Sequence, residues 1–180
     1  YLFRLDPNLI DLNMVLQGPS VQHWFGADDL GRDILARVLS GVKMSVLVAL
    51  TVTVITMVVG VSVGMLAGFY GGKVDSVLMQ ITDIFLAFPG ILLAIAFAAV
   101  LGPGLGNLIL ALCLTGWVSY ARLTRGQTMS LRNRQHVQAA ESLGAGVPRL
   151  LFRHILPLMT SILVVEAAYS LASVMIAEAS

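Results

Sequence analysis

The segments that resemble nucleotide-binding motifs lack the residues that this chemistry needs. The segment at 71–75 reads GGKVD and resembles the end of a phosphate-binding loop, in which backbone N–H groups and a lysine hold phosphate oxygens. However, Ala67 replaces the first glycine of that loop, and Val74 stands where Ser or Thr would bind magnesium. The segment at 102–106 reads GPGLG and lacks dinucleotide-binding spacing. We therefore expect no nucleotide cofactor bound by this chain.

The spacing of histidines, acids and cysteine also does not indicate a metal site or acid–base catalysis. The histidines lie far apart in sequence: His23, His136 and His154. Helix capping and solvation explain the acids that follow His23 more simply than a metal site does: Asp28, Asp29 and Asp33. The single cysteine, Cys113, provides neither a disulfide framework nor a metal knuckle. We expect no metal site and no catalytic residues.

Long uncharged segments dominate the chain instead. Mean hydropathy is +0.87 and charged residues make up 12%, against about 25% in soluble domains. No charge occurs over 44–72 or 84–121, and Glu166 is the only ionisable side chain over 155–177. A helix needs roughly 20 apolar residues to cross a bilayer. We predict an all-α transmembrane bundle with spans near 45–70, 77–101, 105–121 and 157–178.

Positive charge sets the expected orientation of these spans. Six of the eleven Lys and Arg residues lie within 122–154, where Glu141 is the only acid. Such a loop belongs in the cytoplasm by the positive-inside rule. Loop 122–156 is therefore predicted to be cytoplasmic, residues 1–43 extracytoplasmic, the turn at 71–76 inside and the turn at 102–106 outside. The net charge of +1 indicates no nucleic-acid partner.

Two features of the spans indicate specific roles. Gly60, Gly64 and Gly68 recur every four residues, a spacing that lets helix backbones approach closely. They indicate tight packing, either within one subunit or at a seam between subunits. Glu166 is an acid near mid-membrane, where charge is costly. Either it lines a pathway or it forms a hydrogen bond with a neighbouring helix.

The predicted outer segment, 1–43, ends in a helix-like pattern. Asp28 and Asp29 form a helix start signal, and Asp33 and Arg37 have the spacing of an ion pair. The apolar residues that follow form a helical stripe: Leu30, Ile34, Leu35, Val38 and Leu39. We expect a short amphipathic helix that lies along the outer membrane face before the first span.

The segment from 130 to 157 has the pattern of a helix, a turn and a second helix. A first helix is expected from Ser130 to Leu143, and Gly144 is a natural stop. Pro148 suits the first position of a second helix, and Pro157 marks the passage into the last span. The second helix is rich in apolar residues: Leu150, Leu151, Phe152, Ile155 and Leu156.

Three interpretations of this segment are open: a lipid anchor, an internal brace, and a surface that docks into a groove of a cytoplasmic partner. Small side chains at Ala139 and Ala140, beside Gly144, favour close approach to another protein, because a lipid anchor would favour bulky aromatic residues. The residues alone therefore favour docking over the other two roles.

The same segment resembles a family signature. The pattern E-A-A-x-x-x-G, followed by I-x-L-P or a close variant, marks permease subunits of ABC importers. Here it reads Gln138-Ala139-Ala140-Glu141-Ser142-Leu143-Gly144, and then Ile155-Leu156-Pro157. Further segments are similar to the dipeptide, oligopeptide and nickel branch: HWFGADDLGRDILARVLSG, GGKVDSVLMQITDIFLAFPGILLAI, YARLTRGQTMSLR and the terminal IAEAS. The resemblance covers essentially the whole chain.

This resemblance implies an ATP-driven importer with a type I ABC permease fold. Its expected partners are a second permease subunit, two cytoplasmic ATPase subunits that bind ATP and magnesium, and an extracytoplasmic solute-binding protein. The expected solute is a peptide, with nickel or glutathione-like solutes as alternatives and a self-contained secondary transporter as a less favoured reading. The chain is expected to be a fragment that lacks a first and a last span.

The resemblance also assigns roles to residues. The residues implied to couple the chain to the ATPase are Gln138, Ala139, Ala140, Glu141, Gly144, Leu150, Leu151, Ile155 and Pro157. Gln138 departs from the pattern, because the family has glutamate at this position. A salt bridge from this position to the ATPase is therefore not expected, although the small-residue surface is intact.

Overall fold

The computed structural model describes residues 6–21, 23–87, 92, 96–97, 99–100, 102 and 104–178. A short 3-10 turn covers Leu12–Met14. The helices are α1 (Ile34–Tyr70), α2 (Gly72–Leu86), α3 (Leu105–Arg132), α4 (Gln135–Ser142) and α5 (Val147–Glu178). Over the described ranges, β pairing is limited to one isolated bridge between Ala27 and Asp33. The predicted all-α fold class is confirmed.

The chain divides into two compact units, Tyr1–Leu47 and Val48–Ser180. In the first unit, Asp28 organises a loop: its carboxylate accepts hydrogen bonds from the backbone N–H groups of Leu30 and Arg32 and pairs with the guanidinium groups of Arg32 and Arg37. Desolvation raises the pKa of Asp28, but these N–H groups and guanidinium groups outweigh it and hold the pKa well below its ordinary value.

The predicted short amphipathic helix does not form a separate element. Instead α1 begins at Ile34 and continues without a break to Tyr70. Asp33 caps its start, because Asp33 Oδ1 accepts the N–H of Ala36 at 2.8 Å. The other carboxylate oxygen of Asp33 lies 2.7 Å from His23 Nδ1. The sequence predicted an ion pair between Arg37 and Asp33. In the structure Arg37 pairs with Asp28 instead.

Two helices in the described part of the chain are long and apolar enough to cross a membrane, α1 with 37 residues and α5 with 32. They include the predicted spans 45–70 and 157–178. The predicted span 105–121 lies on α3, which continues to Arg132. The predicted span 77–101 begins on α2, but residues 88–91, 93–95, 98 and 101 lie outside the described residues. The four-span arrangement therefore stays a prediction.

The glycine face of α1 lies against α3 of the same chain. A Cβ added to Gly68 would come within 2.6 Å of the Arg125 carbonyl oxygen, and one on Gly64 within 2.9 Å of the Arg125 nitrogen. At Gly60 the added atom would meet the Trp117 carbonyl oxygen and the Tyr120 side chain. Each glycine thus occupies a position where backbone approaches backbone.

Candidate functional site

The helix α4 has one buried and one exposed side. Val137 is 1% exposed and belongs to the apolar core of the second unit. Gln138, Ala139 and Glu141 are exposed, and Ala140 is partly buried against that core. The exposed side of α4 therefore presents a small side chain between two polar ones.

The sequence placed the start of this helix too early. Residues 130–132 belong to α3, and the chain bends at Asn133 and Arg134 before α4 begins at Gln135. The Arg134 N–H donates to the Leu131 carbonyl oxygen at 3.0 Å, which closes this turn. The predicted helix from Ser130 to Leu143 is thus two elements, and only the second carries the signature residues.

Gly144 ends α4, as the sequence predicts. Its φ of +84° lies in the left-handed region that favours glycine. Its N–H donates to the Glu141 carbonyl oxygen at 2.9 Å, and the Ala145 N–H donates to the Ala140 carbonyl oxygen at 3.0 Å. This pair of bonds is the Schellman arrangement of a helix C-terminus. Nothing lies within 4 Å of a Cβ added here, so the backbone conformation, rather than lack of space, requires glycine.

The exposed residues from Gln138 to Gly144 form one continuous patch, which we call the α4 surface. Leu143, at its end, is 88% exposed although it is a large apolar residue.

The start of α5 holds α4 against the rest of the unit. Leu150, Leu151 and Ile155 are at most 5% exposed and pack with Val137 and Leu131 in one core cluster. The predicted direct contact of Leu150, Leu151 and Ile155 with a partner is not available to them in this arrangement. Their coupling role remains a prediction, now through support of the α4 surface.

Phe152 lies on the other side of the same turn and is 62% exposed. The turn is wider than an α-helical one, because Leu150–Ile155 is a π-helical stretch in which the Leu156 N–H donates to the Leu151 carbonyl oxygen. Pro157 has no N–H to donate and would clash with the carbonyl group one α-turn earlier. The wide turn places Pro157 inside one continuous helix, Val147–Glu178, that includes the predicted last span.

The arginines of this segment divide into two groups. Arg122 pairs with Asp83, Arg125 pairs with Asp75, and Arg132 donates to the Phe69 carbonyl oxygen. These three connect α3 to α1 and α2. The other three have no acid partner within the described ranges and are exposed: Arg134, Arg149 and Arg153. Arg134 directly precedes α4, and Arg149 and Arg153 lie in the first turns of α5.

The Asp75–Arg125 pair is bidentate, and its second contact, between Arg125 Nη2 and Asp75 Oδ2, measures 2.6 Å. The Arg125 side chain lowers the pKa of Asp75 against a smaller opposing effect of burial, and Asp75 in turn raises the pKa of Arg125. Sequence analysis missed this pair because it counted positive charge in the loop alone. The sequence signal for this pair was the presence of two acids on α2, Asp75 and Asp83, and two arginines on α3, Arg122 and Arg125, which could pair if the two helices were neighbours.

Glu166 lies on α5, away from the α4 surface, and is partly exposed. Among the described side chains, no cation pairs with its carboxylate. The hydroxyl of Tyr120, which belongs to α3, is buried and lies beside Ser170 and near Glu166. The two predicted sites are thus at different places: the coupling residues in the α4 turn and its support, and Glu166 in a span.

Comparison with known proteins identifies related chains. The family model described as "Binding-protein-dependent transport system inner membrane component" matches residues 60–180. The glutathione transport system permease protein of Pectobacterium atrosepticum is 40% identical over 166 residues, 92% of this chain and 55% of that protein. The oligopeptide transport system permease protein of Bacillus subtilis is 40% identical over 162 residues, 89% of this chain and 53% of that protein.

A third relative has a similar extent. The dipeptide transport system permease protein of Alkalihalophilus pseudofirmus is 40% identical over 152 residues, 84% of this chain and 50% of that protein. The chain thus spans about half the length of the curated relatives that it matches. The family match includes the glycine face of α1, α3, the α4 surface and Glu166.

Proposed function

This chain belongs to the family of binding-protein-dependent transport system inner membrane components, and from that membership we propose that it is a permease subunit of an ATP-driven importer. It forms half of a translocation pathway, and a second, homologous permease subunit forms the other half. An extracytoplasmic solute-binding protein delivers the solute. Two cytoplasmic ATPase subunits hold the ATP and magnesium, and this chain binds neither.

The α4 surface is the observation that carries the coupling part of this proposal. Its exposed residues include small ones, Ala139, Ser142 and Gly144, and the buried Val137 on the other side of α4 belongs to the core cluster. Three exposed arginines lie in the same segment of the chain, without acid partners among the described residues. A helix that presents small side chains fits a groove on another protein more closely than a bulky one does. The buried residues Val137, Leu150 and Ile155 fit the role of an internal brace, whereas the exposed residues Ala139, Leu143 and Gly144 fit a docking role. The segment from 130 to 157 therefore combines both roles.

Orientation follows from charge. The three unpaired arginines flank the α4 surface, and this basic loop is cytoplasmic under the positive-inside rule. Residues 1–43 are then extracytoplasmic. Gln138 carries no charge, so docking depends on shape and on the surrounding arginines rather than on a salt bridge from this position.

The proposed solute is a peptide. The relatives carry the names of glutathione, oligopeptide and dipeptide systems, and all three solutes are peptides. The solute-binding protein selects the solute, so the alternatives to a di- or oligopeptide are glutathione-like solutes, which are modified peptides, and nickel.

The test replaces Ala139 by Arg in the transporter with all its subunits, and Ser130→Arg serves as the matched control. Both positions are exposed and lie in the same basic segment. Ala139→Arg places a long charged side chain on the docking patch, and we expect ATP-dependent uptake to fall at least about tenfold, the equivalent of about 1.4 kcal/mol. The ATPase subunits should also no longer copurify with the Ala139→Arg transporter. The Ser130→Arg transporter should retain both its uptake and its ATPase subunits.

Normal uptake by Ala139→Arg would contradict the coupling role. Uptake by the unmodified transporter that persists without ATP would instead indicate a self-contained secondary transporter. Loss of the ATPase subunits without loss of uptake would point to an assembly role.

A further inference from the structure

Four polar side chains form a line along α5, in a stretch, 162–177, that is otherwise apolar. Glu166, Tyr169, Ser170 and Ser173 are spaced by three, four and seven residues, which places them on one face of the helix. Glu166 and Ser170 are partly exposed, and Tyr169 is 70% exposed. The opposite face is exposed and apolar, with Val164 and Met175. The polar line thus lies between the packed face and the apolar outer face.

Neutral hydroxyl groups from the neighbouring helices surround the start of this line. The Thr53 hydroxyl of α1 lies 3.5 Å from Ser170 Oγ. Tyr120 of α3 places its buried hydroxyl beside Ser170 and near the Glu166 carboxyl group. No lysine, arginine or histidine within the described ranges pairs with Glu166. The carboxyl group of Glu166 thus lies near neutral hydroxyl groups, without a cation partner in the described part of the chain.

Lipid cannot satisfy such a group. A carboxylate within the hydrocarbon needs water, a cation or hydrogen-bond donors close by. A water-filled pathway supplies the first, and a passing solute can supply the second. One carboxylate among neutral hydroxyls suits an ammonium group, which donates up to three hydrogen bonds. A divalent metal requires more charged oxygen ligands than this line offers, and the described residues hold no cluster of three metal-binding side chains.

We propose that Glu166, together with Tyr169 and Ser173 on the same line, is a recognition point in the translocation pathway for the protonated amino group of the solute. This inference rests on the proposed transport function and names its solute class: compounds with a free ammonium group, such as peptides with an unmodified N-terminus. The alternative is that a cationic side chain of a second permease subunit pairs with Glu166. In that case the polar line would be buried between the subunits and inaccessible to water.

The first experiment measures water access and local charge, and needs neither ATP nor a delivered solute. In a Cys113→Ser background, Ser173→Cys is treated with positively and negatively charged methanethiosulfonate reagents, with Val164→Cys as the control on the opposite face. We expect Ser173→Cys to react faster with the cationic reagent. Adding Glu166→Gln should lower that preference at least about fivefold, while Glu166→Asp retains it. Val164→Cys should react with neither reagent.

The second experiment tests recognition of the ammonium group directly. Alanyl-alanine at millimolar concentration should slow cationic labelling of Ser173→Cys at least about threefold, as partial occupancy of a weak site predicts. N-acetyl-alanyl-alanine, which lacks the ammonium group, should not slow it. The protection should disappear with Glu166→Gln.

Three results would overturn the proposal: an unreactive Ser173→Cys, a charge preference that Glu166→Gln leaves intact, or equal protection by the two dipeptides. Because labelling requires no ATP, these results are independent of whether uptake by the complete transporter is ATP-driven. Failure of this inference is thereby distinguishable from failure of the proposed function.

Discussion

Asp75 and Arg125 form a bidentate charge pair that connects α2 to α3. Asp75 lies in the first turn of α2, where the helix dipole also favours a negative side chain. Arg125 lies on α3, between the glycine face of α1 and the beginning of the basic loop. The pair therefore holds α2 against the part of α3 that also packs on the glycine face of α1.

The stability of the chain should depend on this pair in the acid range. The pKa of Asp75 is lower in the folded chain than its value of about 3.9 in an unfolded one. A group with a depressed folded pKa adds stability above the unfolded pKa, and that contribution is lost as the pH falls through the folded pKa. We expect thermal stability in detergent to fall between about pH 5 and 3, and Asp75→Asn to reduce that dependence.

Asp29→Asn is the control, because Asp29 is exposed and its nearest arginine nitrogen is 3.9 Å away. It should leave the acid dependence of stability unchanged. A slope in Asp75→Asn equal to that of the unmodified protein would show that this pair does not contribute.

At the scale of the helices, the glycine spacing on α1 specifies how closely α3 approaches. Three positions on α1 meet backbone atoms of α3, and Thr124 of α3 donates weakly to the Gly60 carbonyl oxygen at 3.4 Å. Because lipid is as apolar as the side chains, helix association in a membrane depends on such close packing rather than on a hydrophobic driving force. A single added methyl group can therefore separate the helices.

Gly64→Ala should destabilise the helix pair, because the new Cβ meets the Ala121 carbonyl oxygen and the Thr124 side chain. Overpacking of this kind costs about 1–3 kcal/mol, and we expect the apparent Tm in detergent to fall by roughly 2–10 °C. Gly126→Ala is the matched control, since Gly126 lies in a helix with nothing within 4 Å of an added Cβ. It should raise the Tm or leave it unchanged; equal losses in both variants would contradict close packing at Gly64.

The sequence predicted the helices better than the positions at which they begin and end. Hydropathy identified the apolar segments of α1 and α5, and the preference of glycine for helix C-termini identified the end of α4 at Gly144. The start of α4 was missed because Ser130, Leu131 and Arg132 suit either helix, and only the turn at Asn133 and Arg134 separates them. Pro157 was expected at the passage into the last span, but the π-helical stretch before it, which accommodates the missing N–H, was not predicted. Both features involve geometry that residue type alone does not encode.

The same limit applied to the candidate site. The sequence correctly grouped the signature residues into one segment, yet it could not separate contact from support. Leu150, Leu151 and Ile155 have the same apolar character as Phe152 and Leu143, and helical position alone decides which of them is buried. The Asp75–Arg125 pair joins residues 50 positions apart in sequence, so no local pattern could reveal it.

At the scale of the whole molecule, transport requires a large shift between inward-facing and outward-facing states. Moving such an equilibrium from 1:99 to 99:1 needs about 5.5 kcal/mol of differential binding. Full burial of one Leu or Phe contributes roughly 1.5–3 kcal/mol, and two large apolar residues of this segment are exposed, Leu143 on the α4 surface and Phe152 on α5. Burying both against an ATPase in one state only would supply a shift of that order, which a rigid support behind α4 would transmit.

This mechanism requires the α4 surface and the α3 start to face opposite sides of the membrane. Leu143→Cys and Gly106→Cys, each in a Cys113→Ser background, place a single thiol at an exposed position at either end. Because the six arginines of the loop oppose translocation, we expect a membrane-impermeant maleimide to label Leu143→Cys only in inside-out vesicles. Gly106→Cys should be labelled only in right-side-out vesicles. If both thiols react from the same side, α3 does not span the bilayer, and the α4 surface cannot pass an ATP-driven movement to a pathway across it.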